Sequence, residues 1–276
     1  MADLPVSRTG KSALDVARLA ALGAAEVVLP RYKALSRGQP IEKVTKGRGN
    51  YVTETDLACE KVAFEVLRAE YGADVRVLSE ETSAEVADWD SGWLWVIDPI
   101  DGTGNFARGI PSFAFNSALC EDGEPVLGLT HQAVTGDEFV STKGGGLWVN
   151  GERAYVSPVE KLADALMGIG LGYEYDRAKK TLALLAELWP GIQMVQNIGT
   201  AALGLAYAAS GRFDMYVHST LYPWDMAPGI AMIREAGGLA LARDGTPATI
   251  YSEGLVAGAR GPVEEFVGLT HERAWR

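Results

Sequence analysis

At 276 residues, 47% of them hydrophobic and 22% charged, the chain is long enough for one large domain or two intimate ones around a sizeable core. Its formal net charge of -11 weighs against nucleic acid or an anionic membrane as partner, and it leaves an anionic substrate in need of a bound cation. Two cysteines without CxxC spacing and three scattered histidines exclude a disulfide framework and a histidine-rich zinc site, and they fit a reducing, cytoplasmic setting.

Thr9 to Lys33 carries apolar residues at helical spacing, with Thr9 or Ser12 as cap. The stretch has no apolar signal core, and no run in the chain approaches the length of a membrane span. Arg37-Gly38-Gln39-Pro40 ends the helix. Lys43 to Asn50 is a basic, glycine-containing hairpin or loop, read from composition as a solvated turn. Thr53-Glu54-Thr55-Asp56 opens a second helix to about Tyr71, with acids in its first turn to match the helix dipole. Cys59 in that helix reads as core filler. Val75 to Leu78 is a short strand that leaves through Ser79-Glu80-Glu81-Thr82, and Trp93 to Asp98 is a strand that stops at an aspartate.

Phe113 to Cys120, Pro125 to Val134 and Glu138 to Thr142 read as strands joined by hairpin turns. Lys143-Gly144-Gly145-Gly146 lacks the Gly-Lys-Ser/Thr ending of a phosphate loop and sits among strands, so it reads as a bulged turn. Past Pro158 strands and helices alternate: strands at Ala165 to Leu171, Ile192 to Val195, Phe213 to Val217, Leu239 to Ala242 and Gly254 to Ala257. Helices fall at Asp176 to Leu188, Thr200 to Ser210, Pro223 to Ala236 and from Pro262 onward. An antiparallel middle followed by an α/β layer predicts a mixed α+β fold. It also predicts two halves, 1–158 and 159–276, forming one compact unit.

The acids at strand and helix ends are Asp56, Glu80, Asp98, Asp101 and Asp225, none beside histidine or cysteine. An all-oxygen set suits magnesium, manganese or calcium. In Asp98-Pro99-Ile100-Asp101-Gly102-Thr103, Pro99 removes a donor, the Ile100 carbonyl is a candidate neutral ligand, and Gly102 permits close backbone approach. Thr103 to Phe106 can start a short helix whose free amides face an anion. Taken alone, the stretch reads equally as a strand ending in an Asp-Gly turn, and Asp225 as a helix-capping acid.

Five ordered blocks carry a resemblance. Trp95 to Phe106 resembles the first signature of the inositol monophosphatase family, and Trp224-Asp225-Met226-Ala227-Pro228-Gly229 its second. Thr53 to Asp56, Ser79-Glu80-Glu81 and Gly199-Thr200-Ala201-Ala202 match lesser blocks, so the likeness spans Lys46 to Gly238. It implies a five-layered α-β-α-β-α sandwich, as in fructose-1,6-bisphosphatase. It further implies a lithium-sensitive phosphomonoesterase using Mg²⁺, with Mn²⁺ as substitute, that acts on a small phosphorylated metabolite and is usually a homodimer.

By the resemblance, Glu80, Asp98 and the Ile100 carbonyl bind a first metal, and Asp98, Asp101 and Asp225 a second. Asp56 and Thr103 flank the nucleophilic water, which Glu80 helps activate for a two- or three-metal-assisted in-line attack. Gly102 and Thr103 receive the phosphate; Lys46, Tyr173, Ala201 and His218 stand on the substrate side. The chain departs from the family pattern at two places. His218 stands where inositol phosphatases carry a glutamate seven residues before the second-signature aspartate, and Tyr173 replaces a small serine. Lys46 lies one residue closer to Thr53 than the family's loop lysine. His218 also reads as a surface loop residue. The substrate is therefore open among inositol 1-phosphate, histidinol phosphate, fructose 1,6-bisphosphate and 3'-phosphoadenosine 5'-phosphate. A non-catalytic regulatory protein on the same fold is the alternative of another class. A nuclease is disfavoured by the acidic surface and the lack of a basic, aromatic track.

Overall fold

The computed structural model describes residues 4–47, 49–82, 88–273 and 275. Helix α1 (Ala13–Leu35) is capped by Ser12, whose hydroxyl accepts from the Asp15 amide at 3.1 Å. Its inner face is largely alanine, from Ala13 through Ala24, with Val16 and Val28. Small side chains let α2 (Glu54–Tyr71) lie close. At Gly23 a methyl group would come within 2.6 Å of Val62 on that helix. The hairpin of β1 (Val44–Gly47) and β2 (Asn50–Val52) precedes α2, and β1 is exposed along its length.

A seven-stranded sheet follows: β3 (Val77–Ser79), β4 (Trp93–Asp101), β5 (Ala114–Glu121), β6 (Glu124–Gln132), β7 (Asp137–Thr142), β8 (Gly146–Val149) and β9 (Glu152–Ala154), paired in that order. All neighbours are antiparallel except β3 and β4. The turn before β8 is indeed no phosphate loop. The Gly144 and Gly146 amides donate to the Glu235 carboxylate at 2.9 and 2.8 Å.

The second sheet has the order β11 (Met194–Gln196), β10 (Leu166–Gly170), β12 (Met215–His218), β14 (Leu255–Gly258) and β13 (Leu239–Ala242). Its β10 is parallel to both neighbours, and its β14 antiparallel to both. Between the sheets lie α5 (Ala201–Ala209) and α6 (Pro223–Glu235), buried almost all round, as a helix apolar on every side must be. Gly128 on β6 makes this possible, because a methyl group there would strike the Pro228 carbonyl of α6 at 2.5 Å. Outside the second sheet, α4 (Tyr175–Leu188) and α7 (Arg260–Leu269) bury Leu184, Val263 and Phe266 against Met167, Met215 and Val256. The layers are thus α1 with α2, sheet, α5 with α6, sheet, α4 with α7, which is the five-layered sandwich expected.

Two strands start two residues later and end one residue later than the sequence pattern suggests, β3 at Val77–Ser79 and β11 at Met194–Gln196. The larger difference is in β4, which continues past Asp98 to Asp101. Pairing resumes there because the strand absorbs an irregularity instead of stopping.

Candidate metal and phosphate site

That irregularity builds the site. Asp98 pairs with Asn116 and Asp101 with Ala114, so three steps along β4 oppose two along β5. One residue is extra, which is a β-bulge at Pro99-Ile100. In a regular strand, residues three apart face opposite sides. The extra residue brings both carboxylates to one side, and Pro99, having no amide hydrogen, leaves no ladder bond broken there.

Oxygens from Asp98, Asp101 and Asp225 come within 4.8 Å of one another. Each carboxylate is held by a backbone amide on one oxygen. Ile100 donates to Asp98 Oδ1 at 3.0 Å, Ala202 to Asp101 Oδ2 at 2.9 Å, and Tyr222 to Asp225 Oδ2 at 2.8 Å. The second oxygen of each has no protein donor among the described residues. The Asp101 contact falls in the first turn of α5, where helix amides favour an anion, and Thr200 donates its hydroxyl to the same oxygen. Burial, and then the neighbouring acids, pushes Asp98 well above the usual carboxylate range; Asp225 rises likewise, chiefly by burial and by Asp101. Burial also raises Asp101, against the opposing bonds from Thr200 and the α5 amides. No lysine or arginine pairs with these three among the described residues. Buried like charges with no protein counter-ion, offering only hard oxygen, fit a divalent cation such as magnesium.

Asp56 lies behind this corner and is fully buried. Its Oδ2 accepts from the Thr53 amide at 2.8 Å and hydroxyl at 2.5 Å, closing the capping box of α2. Its Oδ1 is 3.0 Å from the Thr103 hydroxyl, which is also 3.1 Å from the Ile100 carbonyl. Burial raises Asp56 to about 6 despite these bonds. Gly102 caps α3 (Thr103–Phe106) with φ near +90°, a left-handed conformation that glycine adopts without strain. A methyl group there would meet the Ser112 carbonyl at 2.9 Å.

Asp98, Ile100, Asp101, Gly102, Thr103 and Asp225 line a cleft of about 310 Å³, with Asp56 behind it. Glu80, at the exit of β3, lines it too, and its carboxylate is 3.1 Å from Lys46 Nζ. Lys46 also bonds Glu81 at 2.7 Å. The basic hairpin is therefore more than a solvated turn: its lysine reaches back over the two glutamates. Burial raises the Glu80 carboxyl, and Lys46 opposes that rise.

A family model described as the inositol monophosphatase family matches residues 11–274. The chain belongs to the inositol monophosphatase family. Among family relatives, an inositol-1-monophosphatase of Mesorhizobium japonicum is 35% identical over 224 residues, covering 80% of this chain and 82% of that protein. The Nus factor SuhB of Pasteurella multocida is 32% identical over 255 residues, covering 92% and 94%. The crystal structure of the extragenic suppressor protein suhB from Bartonella henselae superposes with a TM-score of 0.85 at 30% identity, covering 94% of this chain and 98% of that one.

Within this family frame, the residues on the substrate side are dispersed. Ala201, the first residue of α5, lines the cleft, as does Tyr173 just after β10. His218 ends β12 and lines the cleft as a buried residue, so it is not a surface loop residue. Its Nδ1 accepts from the Thr220 amide at 3.2 Å, and burial pushes the imidazole down to about 3, so it is neutral. Lys46 faces Glu80 and Glu81 and is not among the groups lining the cleft.

Sequence reasoning missed the supports. Thr200 steadies Asp101. Asn116, paired with Asp98 across β4 and β5, donates to the Trp224 carbonyl at 2.8 Å and the Asp225 carbonyl at 3.3 Å; Thr130 donates to its Oδ1 at 2.6 Å. This buried amide fastens the start of α6 to the central strands. Motif reading had only one available signal: Thr200 lies inside a family block. Asn116 had none.

Proposed function

We propose that the chain is a magnesium-dependent phosphomonoesterase acting on a small phosphorylated metabolite. The observation that carries this reading is the set of three clustered carboxylates, two buried and Asp225 half-buried, each held on one oxygen by a backbone amide, beside the Thr103–Asp56 pair. Asp98, Asp101 and Asp225 would hold one divalent ion, and Glu80, Asp98 and the Ile100 carbonyl a second. Bound there, such ions supply charge neutralisation to a phosphate ester and acidity to water. Manganese suits the same oxygen donors.

The chain's own groups divide the remaining work. The Thr103 hydroxyl, donating to Asp56, directs a lone pair toward the cleft and orients a water for in-line attack. Glu80 and Asp56 are the carboxylates to which that water's proton can pass. The Gly102 and Thr103 amides receive the phosphate oxygens. Lys46 holds Glu80 in place. Lithium inhibition and a homodimer belong to the same reading. Phosphate release from small esters tests it: activity needs Mg²⁺ and disappears in Asp98→Asn, whereas activity unaffected by EDTA refutes it.

One relative is named a Nus factor, which favours a second reading, a regulatory protein on this fold. Measurable Mg²⁺ binding with no phosphate release from a broad ester panel would select it.

A further inference from the structure

Asp98 and Asp225 belong to different halves of the chain, and their carboxylate oxygens come within 4.8 Å of each other. Asp225 lies in the first turn of α6, and Pro228 follows inside the same helix. A helical carbonyl ordinarily accepts from the amide four residues on. Pro228 has no amide hydrogen, and its ring crowds the carbonyl four residues back, so the Trp224 carbonyl has no partner within the helix. Trp224 is buried, and a buried carbonyl left unpaired is costly.

Asn116 provides the donor that the helix lacks. Its Nδ2 donates to the Trp224 carbonyl at 2.8 Å and to the Asp225 carbonyl at 3.3 Å. Both carbonyls can only accept, so the amide nitrogen faces the helix and Oδ1 faces Thr130, whose hydroxyl donates to it at 2.6 Å. Asn116 is fully buried and stands opposite Asp98 on β4 and Thr130 on β6. Directly opposed residues share a face of the sheet, so the three side chains form one row toward α6. The Asp225 carboxylate accepts from the Tyr222 amide at 2.8 Å, which ties it to the first turn of α6. Whatever holds that turn against β5 therefore sets where Asp225 stands relative to Asp98.

We infer that Asn116 is a positioning residue for the divalent ion: it docks the first turn of α6 beside Asp98, on the Trp224 carbonyl that Pro228 leaves free. The inference rests on the metal-binding reading of Asp98 and Asp225. It joins two residues that lie 112 positions apart and touch no substrate in that reading.

Calorimetric titration of Mg²⁺ into the full-length wild type, Asn116→Ala, Pro228→Ala and the double variant tests it. Asn116→Ala should weaken Mg²⁺ binding about 10- to 100-fold, the range for a partner that orients a metal ligand. Pro228→Ala returns an amide to the Trp224 carbonyl, so in that background the same substitution should weaken binding by less than about threefold. A side chain that only filled space would cost the same in both backgrounds. The Mg²⁺ concentration for half-maximal phosphate release should follow the same order. Wild type that binds no Mg²⁺ refutes the metal reading, and the positioning role with it. Wild type that binds Mg²⁺ no better than Asn116→Ala, or an equal loss in both backgrounds, refutes the positioning role and leaves the metal reading intact. Should Asn116→Ala alone not fold, the double variant decides. It must fold and bind Mg²⁺ within about threefold of Pro228→Ala, and an unfolded or weaker-binding double variant overturns the inference.

Discussion

Thr103 places its hydroxyl 3.0 Å from Asp56 Oδ1, bridging the bulged strand β4 and the capped start of α2. The two residues lie 47 positions apart, and the carboxylate they share is already fixed by Thr53 on its other oxygen. Thr103 is therefore oriented by a group that is itself immobile. Removing the hydroxyl should lower kcat by about 10²- to 10⁴-fold, the range for a positioned proton-transfer group. Thr103→Ala should show this loss with little change in KM, and Thr103→Ser should recover most of the rate. Steady-state kinetics on glycerol 2-phosphate measure both, and a Thr103→Ala rate within a few-fold of wild type would remove the residue from the reaction.

The carboxylate corner predicts opposite effects on stability and activity. Asp98, Asp101 and the half-buried Asp225 are clustered like charges, so without metal they destabilise the folded state at neutral pH. Their folded pKa values are raised. The metal-free protein therefore loses stability as pH rises from the unfolded carboxylate range toward those values. Asp98→Asn removes one charge with nearly the same shape. It should raise the Tm of the metal-free protein at pH 7 while abolishing phosphate release. Wild type should gain Tm with Mg²⁺, by about 2.7 kcal/mol of stability at a hundred times its Kd, and Asp98→Asn should gain less. Thermal melts with EDTA and with Mg²⁺ separate these outcomes.

The acids were legible as an all-oxygen set, but their metal roles came from the family blocks, since alone Asp56 and Asp225 read as ordinary helix-start acids. In the fold Asp56 and Asp225 lie in the first turns of α2 and α6, Glu80 follows β3, Asp101 ends β4 and Asp98 lies inside it. The mixed α+β class was legible from the change of pattern near Pro158, whereas the five layers came from the family resemblance. That Asp98 and Asp101 share a side was not legible, since it depends on a bulge that only the register with β5 reveals. Thr200 lies 99 positions from the Asp101 carboxylate it bonds, and Asn116 lies 109 positions from the Asp225 main-chain carbonyl it bonds. No local pattern encodes such contacts. The Lys46 hairpin read as a solvated turn from its basic, glycine-containing composition; its strand is indeed exposed, but the Lys46 side chain reaches Glu80 and Glu81.

Thr200 gives the sharpest test of positioning as distinct from chemistry. Its hydroxyl and the Ala202 amide both donate to Asp101 Oδ2 and fix the carboxylate that meets Asp98 and Asp225. Loss of such an outer partner typically costs about 10- to 100-fold in metal affinity or activity. Thr200→Ala should raise the Mg²⁺ concentration for half-maximal activity by that range and leave the rate at saturating Mg²⁺ closer to wild type. Thr200→Ser should restore the requirement. An unchanged Mg²⁺ dependence in Thr200→Ala would show that the Ala202 amide alone suffices.

His218 predicts how the protein fails in acid. Burial pushes its imidazole down to about 3, against an ordinary value near 6.5. The unfolded chain therefore binds a proton that the folded protein refuses. The sign follows: below about pH 6.5 this residue costs the native state stability as pH falls, by up to about 1.4 kcal/mol per pH unit, until the folded pKa is reached. The raised carboxyls of the site act in the opposite sense over the acid range, so the wild-type profile alone does not isolate the histidine. The difference between wild type and His218→Gln does. Glutamine keeps a polar side chain and titrates nowhere, so its stability relative to wild type should be flat above pH 7 and should rise steadily between pH 6 and pH 4. Urea denaturation at half-unit pH steps reads that difference, and parallel profiles for the two proteins would mean that the imidazole is charged inside the fold.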